Sequence, residues 1–173
     1  MIRPILKLGN EVLRRKSLPV TGFQNRHLDS LIKDLADTLK HTQKKFHYGR
    51  GIAAPQIGKL KRVIFIDTPS FKSPLINPEI IWASNAKIEV WDSCFSFNLA
   101  FFVLLDRSFQ VRLNYLDKNG KKQTINAKED LSELLQHEID HLNGILAIDR
   151  MKEKKVMMRS EWEKTKRIEY RFS

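Results

Sequence analysis

A chain of 173 residues, 42 % hydrophobic and 29 % charged, has the composition of one globular domain with a real core and not of a disordered polymer. Its formal charge of +11 favours polyanions, but no apolar run approaches the roughly 20 residues that a bilayer-spanning helix needs. A single cysteine, Cys94, excludes an internal disulfide and fits a reducing compartment. The opening MIRPILKLGNEVLRRK lacks the apolar core and small-residue cleavage site of a secretion signal. The expected location is therefore cytoplasmic, with a mature form of an imported organellar protein as the alternative. No RNA-binding signature, helix-turn-helix pattern or zinc-finger spacing occurs, so the charge points to proximity to RNA and not to sequence-specific nucleic-acid reading. No membrane partner is expected.

In chain order, Leu28, Leu31, Ile32, Leu35, Ala36 and Leu39 recur at helical spacing and predict an amphipathic helix over 28–42. GRGIAAPQIG (49–58), with three glycines and a proline, reads as a loop. RVIFID (62–67) is β-branched and aromatic and reads as a strand. Prolines at 69, 74 and 78 are expected to keep the next stretch in loops or sheet edges. KIEVW (87–91) alternates like a strand, and FQVRLNYLD with KKQTINA flanks KNG as a hairpin with Gly120 in its turn. Asn126 with Glu129 reads as a helix start. From there Leu131, Leu134, Leu135, Ile139, Leu142 and Ile145 carry apolar surface on more than one side, which predicts a central buried helix ending near Gly144. Residues 151–173, with eight Lys or Arg against four Glu, are helix-prone and basic. Helix, strands, hairpin and helix without βαβ alternation predict an α+β fold.

Chemistry concentrates in QHEIDHLNG (136–144). On a helix, His137 and His141 stand four apart and face one side, so both imidazoles can hold one metal ion. Glu138 is turned from His137 by about 100° and can reach a water at the metal without ligating it. A catalytic centre of this kind needs a third protein ligand. The metzincin continuation fails, because Ala147 stands where its third histidine belongs. Glu161, 20 residues after His141, is available as in thermolysin-like enzymes, though its surroundings are polar. Cys94 is the remaining candidate, as thiolate binds zinc or ferrous iron strongly, yet a lone cysteine is more often a small buried hydrophobe.

Three segments together resemble the peptide deformylase family: GRGIAAPQ (49–56), DSCFS (92–96) and QHEIDH (136–141). Family members carry Gly-x-Gly-x-Ala-Ala-x-Gln, Glu-Gly-Cys-x-Ser and Gln-His-Glu-x-Asp-His in the same order. The opening ILKLGNEVLRRKSLPV and GILAIDR are also similar to family sequence, so the resemblance covers roughly 2–150. It implies antiparallel sheets around a central metal-binding helix, a catalytic domain over 1–150, and a basic helical tail over 151–173 belonging to the same domain. It implies hydrolysis of the formyl group from N-formylmethionyl nascent peptides, releasing formate. Cys94, His137 and His141 would bind one divalent ion, Fe2+ first, with Zn2+, Ni2+ or Co2+ as replacements. Glu138 would take a proton from water activated there and pass it to the leaving amine. Gln56 and the Phe95 N–H would stabilise the oxyanion, and Gly49, Arg50 and Gly51 would line the bound peptide.

The second motif departs from the family. Asp92 stands for Glu, Ser93 for Gly and Phe95 for the usual Leu, so a contact made by the longer Glu is expected to be missing or relayed by water. Arg50 replaces an apolar residue of the methionine pocket, and Glu133, four before His137, projects from the same helix face. If Arg50, Glu133 and Asp92 face the substrate, the pocket is altered while the metal machinery is complete. That leaves two alternatives: a metallo-amidase of the same fold acting on a different N-acyl substrate, or a low-activity, metal-retaining paralogue that binds peptide or ribosome. The basic tail suggests docking to the ribosome.

Overall fold

The computed structural model describes residues 1–169, with side chains described through Thr165; residues 170–173 of the expected basic tail lie outside the described residues. Helix α1 spans Arg26–Phe46, and Asn25 caps it by accepting from the Leu28 N–H at 3.0 Å. Strand β1 (Gly51–Ala53) and a 3-10 turn (Ala54–Ile57) follow within the segment expected to be loop. Then come β2 (Val63–Asp67), β3 (Lys72–Ala83), β4 (Lys87–Asp92), a 3-10 turn at Phe95–Phe97, β5 (Phe101–Ser108), β6 (Gln110–Leu116), β7 (Lys122–Lys128), α2 (Glu129–Leu142), β8 (Val156–Met158) and α3 (Arg159–Glu169).

Two antiparallel sheets form, ordered β1-β2-β3-β6-β7 and β4-β5-β8. Every residue of VIFI is buried because β2 is covered on both faces. Val63 and Phe65 meet Leu35 and Leu39 of α1, while Ile64 and Ile66 meet Leu135 and Ile139 of α2. Truncating Leu35, fully buried, would cost about 2–5 kcal/mol. Helix α2 also meets β5 of the smaller sheet, so it is central, and ten of its fourteen residues are buried.

Four local expectations are corrected. Pro74 and Pro78 lie inside β3, a strand with neighbours on both sides. The chain tolerates them because β6 pairs β3 only from Ile76 onward, leaving Pro74 with one partner strand, and Pro78 falls in the register shift between Ile76 and Glu79. Asn126 is a β7 residue whose side chain accepts from Arg112 Nε across the hairpin, and α2 starts at Glu129 with Lys128 as its cap position. Ile145 lies beyond the end of α2. Val156–Met158, expected to be helical, pairs with β5 as a strand, so the region after 150 is built into the smaller sheet. FNLAFFVLL, to which no element was assigned, supplies β5.

Candidate active site

Helix α2, placed between the sheets, carries His137, Glu138 and His141, all buried. Cys94 arrives from the turn after β4. Its Sγ lies 3.2 Å from His141 Nε2, and the two histidine Nε2 atoms lie 3.2 Å apart. One donor atom from each residue falls within 4.8 Å of the others. Donors held tetrahedrally at about 2.0–2.3 Å from a divalent ion stand about 3.3–3.6 Å apart. The donor set therefore fits such an ion in both spacing and chemistry, one sulfur with two imidazoles. Glu161, the competing third ligand, is 58 % exposed and ion-paired to Lys164, so it is no part of this cluster.

Behind the ligands lies a network that sequence reading missed. Asp92 accepts from His137 Nδ1 at 2.9 Å and from Arg107 Nη2 at 2.9 Å. Fixing Nδ1 in this way leaves Nε2 to face His141 Nε2 in the candidate metal cluster. From the last position of β4, Asp92 makes both contacts directly, where a missing or water-relayed contact was expected of the shorter side chain. Its carboxylate is thus engaged with His137 and Arg107 at the base of the cleft. Arg107 also binds Asp140, which accepts two further bonds from Arg150, each at 2.6 Å. A charged Asp140 on a buried helix was the available signal for such a partner; Arg107, at the polar end of an apolar strand, gave none. Burial alone would raise the Asp92 pKa, but His137 and Arg107 beside it hold it below the usual carboxylate range. Burial opposes charge on His137, yet Asp92 raises its pKa, while burial and the neighbouring His137 push His141 well below the ordinary value.

Glu138 is buried, and burial pushes its pKa up to about 7. Its Oε2 has no hydrogen-bond partner among the described residues, and the side chain lines the cleft. Gly51 makes room for it, since a Cβ there would lie 2.6 Å from Glu138 Oε1. Gly49, at φ +109°, would drive a Cβ to 2.0 Å from the Phe95 ring. Gln56 Oε1 accepts from the Ala53 N–H at 2.9 Å, which turns Nε2 toward Cys94 Sγ at 3.3 Å. Phe95 opens a 3-10 turn, so its N–H has no acceptor within that turn. The N-terminal segment straps both loops: Leu6 and Leu8 donate to the Gln56 and Ser96 carbonyls, and Lys7 Nζ reaches the Phe95 carbonyl at 3.0 Å. Ser93 is absorbed by donating to the Phe101 carbonyl at 2.7 Å.

The cleft occupies about 1050 Å³. On its outer wall Arg50 pairs with Glu133 and with Asp130, each at 2.5 Å. Glu133 is buried, and burial followed by repulsion from Asp92 raises its pKa against the pull of Arg50. Asp130 and Tyr48 also line this cleft and were not singled out from sequence, and Trp162 of α3 lines it as well.

The family model described as polypeptide deformylase matches residues 2–157. A peptide deformylase of Thermoanaerobacter pseudethanolicus is 38 % identical over 149 residues, covering 86 % of this chain and 89 % of the relative. Among solved structures, a peptide deformylase from Thermotoga maritima superposes with a TM-score of 0.80 at 32 % identity, over 88 % of this chain and 99 % of its own. One from Legionella pneumophila gives 0.80 at 35 % identity over 99 % of both chains.

Proposed function

The chain belongs to the polypeptide deformylase family, and from that premise we propose that it hydrolyses the formyl group of N-formylmethionyl chains with Cys94, His137 and His141 holding one divalent ion. When bound, the ion supplies a Lewis acid that lets water lose a proton near neutral pH. Ferrous iron is our first choice, with zinc, nickel or cobalt as substitutes, because sulfur and imidazole donors suit these ions over magnesium or calcium. Glu138 accepts the water's proton and returns it to the leaving amine; a carboxyl near pH 7 is suited to both transfers. Gln56 Nε2 and the Phe95 N–H are donors for the oxyanion that develops on the formyl group. The open edge of β1 at Gly51 pairs with an extended peptide.

The observation that carries this reading is the convergence of Cys94 Sγ and two imidazole Nε2 atoms beside an unpartnered Glu138 oxygen. The test is formate release from formyl-Met-Ala-Ser by anaerobically purified protein, with metal analysis. We expect stoichiometric metal and turnover, with Cys94→Ala losing both. Metal without formate release would make the chain a metal-retaining binding protein instead.

The Arg50–Glu133 pair favours a second reading, in which the same chemistry serves an N-acylated chain whose first side chain is not methionine. Relative rates on formyl-Met, formyl-Leu and formyl-Glu peptides separate the two. We also propose a cytoplasmic setting, supported by the lone free Cys94, and docking near rRNA phosphates through the basic tail. Within the tail, Arg159 pairs with Glu163 and Lys164 with Glu161, which reduces the charge that α3 offers. Salt-sensitive co-sedimentation with ribosomes checks that docking.

A further inference from the structure

The family match ends at residue 157, yet α3 begins at 159 and two of its residues, Trp162 and Thr165, line the same cleft as Glu138 and Cys94. They stand three apart on one helix face. Trp162 is half-buried and stacks on Phe102 of β5, with centroids 4.3 Å apart and planes at 15°. Tyr48, next to Gly49, meets the same Phe102 edge-on at 6.4 Å. Phe102 itself is 2 % exposed, so it is a fixed post to which both cleft aromatics are anchored.

The cleft therefore has two unlike walls. Near the start of α2 it is ionic, with Arg50, Asp130 and Glu133. On the side of the smaller sheet and α3 it is apolar, formed by Ile88, Val90, Trp91, Met157 and Trp162. Its volume of about 1050 Å³ lies just above the range of about 300–1,000 Å³ that houses whole drug-sized ligands, more than one formylated residue fills.

We propose that α3 is a substrate-binding element, in which Trp162 and the apolar sheet wall receive an apolar side chain of the peptide downstream of its formylated residue. This rests on the deformylase reading, because that reading puts the formyl group at the metal cluster and leaves the rest of the cleft to the downstream peptide. Continuity is the argument for a peptide occupant: one cavity joins the cluster, the β1 edge and this wall. Trp162 acts in binding and not in the chemical step.

The test compares full-length wild type, Trp162→Ala, Trp162→Phe and Thr165→Arg. Kinetics use formyl-Met-Ala-Phe, formyl-Met-Ala-Ser and formyl-methioninamide; calorimetry in parallel uses the unformylated products Met-Ala-Phe and Met-Ala-Ser. Wild type is expected to prefer the Phe peptide over the Ser peptide about tenfold in KM and in product affinity. Trp162→Ala erases that preference, Trp162→Phe restores most of it, and the kcat values stay together. Thr165 is exposed, so Thr165→Arg tests the wall without disturbing the core, and it raises KM for both tripeptides more than for formyl-methioninamide. Equal treatment of all three substrates by Thr165→Arg, or an unchanged Phe preference in Trp162→Ala, overturns the wall. A protein that releases no formate yet binds Met-Ala-Phe with a Trp162-dependent preference keeps the wall and sinks the deformylase reading.

Discussion

Behind the ligand cluster, Asp92, Arg107, Asp140 and Arg150 join in a chain of charge-assisted bonds, whereas in front of it Arg50, Asp130 and Glu133 pair beside open cleft. The rear side chains of Asp92, Arg107 and Asp140 are 2 %, 2 % and 6 % exposed, while in front Glu133 is 9 %, Arg50 34 % and Asp130 84 % exposed. At the rear, low dielectric makes any unpaired charge costly, and the departures from the family motif are compensated there. Asp92 still reaches two partners, and Ser93 finds a carbonyl. At the front, water screens Arg50 and Asp130 but not the buried Glu133, and all three line the cleft. The substituted residues therefore end differently in the two regions: Asp92 and Ser93 are bonded within the protein behind the cluster, whereas Arg50 is paired on the cleft wall before it.

The largest expected effect tests whether the cluster is chemical at all. Glu138→Ala should keep its metal and lose about 10²–10⁴-fold in kcat, the usual contribution of a positioned base. Cys94→Ala and His141→Ala should lose the metal itself, read by elemental analysis. Full metal retention in Cys94→Ala would break the ligand assignment.

Next comes the rear network. Arg107→Leu leaves Asp92 and Asp140 without their shared buried partner. Breaking one side of such a pairing costs about 3–5 kcal/mol of stability. Loosened support of His137 should weaken metal affinity about 10–100-fold. Denaturant unfolding and competition with a chelator measure the two. Unchanged metal affinity would make the network a matter of stability alone.

A smaller effect is expected at the boundary between the two regions. In Gly51→Ala the added Cβ meets Glu138 Oε1 at 2.6 Å, so the carboxylate must shift. We expect kcat to fall by about 10²-fold with metal content and melting temperature nearly intact, since a displacement of about 1 Å at a reacting group has such a cost. A drop confined to KM would place the effect on peptide pairing at the β1 edge instead.

The two regions also differ in how well the sequence disclosed them. The grouping of His137, His141 and Glu138 on one buried helix was legible because i, i+4 spacing on a helix is a local rule, and the helix had apolar residues all round. Glu133 was legible for the same reason. Cys94 was not decidable from its own surroundings; only its company with the other two motifs singled it out. Arg107 and Trp162 join the site through β5 pairing and α3 packing, which bring residues distant in sequence together, and no local pattern encodes that. The prolines of β3 misled because the rule that keeps them at edges speaks of hydrogen bonds, and β3 changes its number of neighbours along its length. The tail misled because Val156–Met158 takes its conformation from β5 rather than from its own propensity.

The smallest expected effect sharpens the front wall. Arg50→Ile alone does not make an apolar pocket, because it leaves Glu133 buried without the guanidinium that favours its ionised form. Burial and Asp92 would then raise its pKa further, and the carboxyl would remain a polar group lining the cleft. Asp130 is 84 % exposed and contributes little once Arg50 is gone. Arg50→Ile combined with Glu133→Leu removes both polar groups at similar volume. The double variant should raise the preference for formyl-Met over formyl-Gln peptides by about tenfold in kcat/KM, the scale at which an apolar pocket discriminates. Each single variant should give less than half of that gain in free energy, so the cycle is non-additive, as expected of two groups in direct contact. If wild type already favours methionine as strongly as the double variant does, the Arg50–Glu133 pair lies aside from the bound side chain, and the front wall selects nothing.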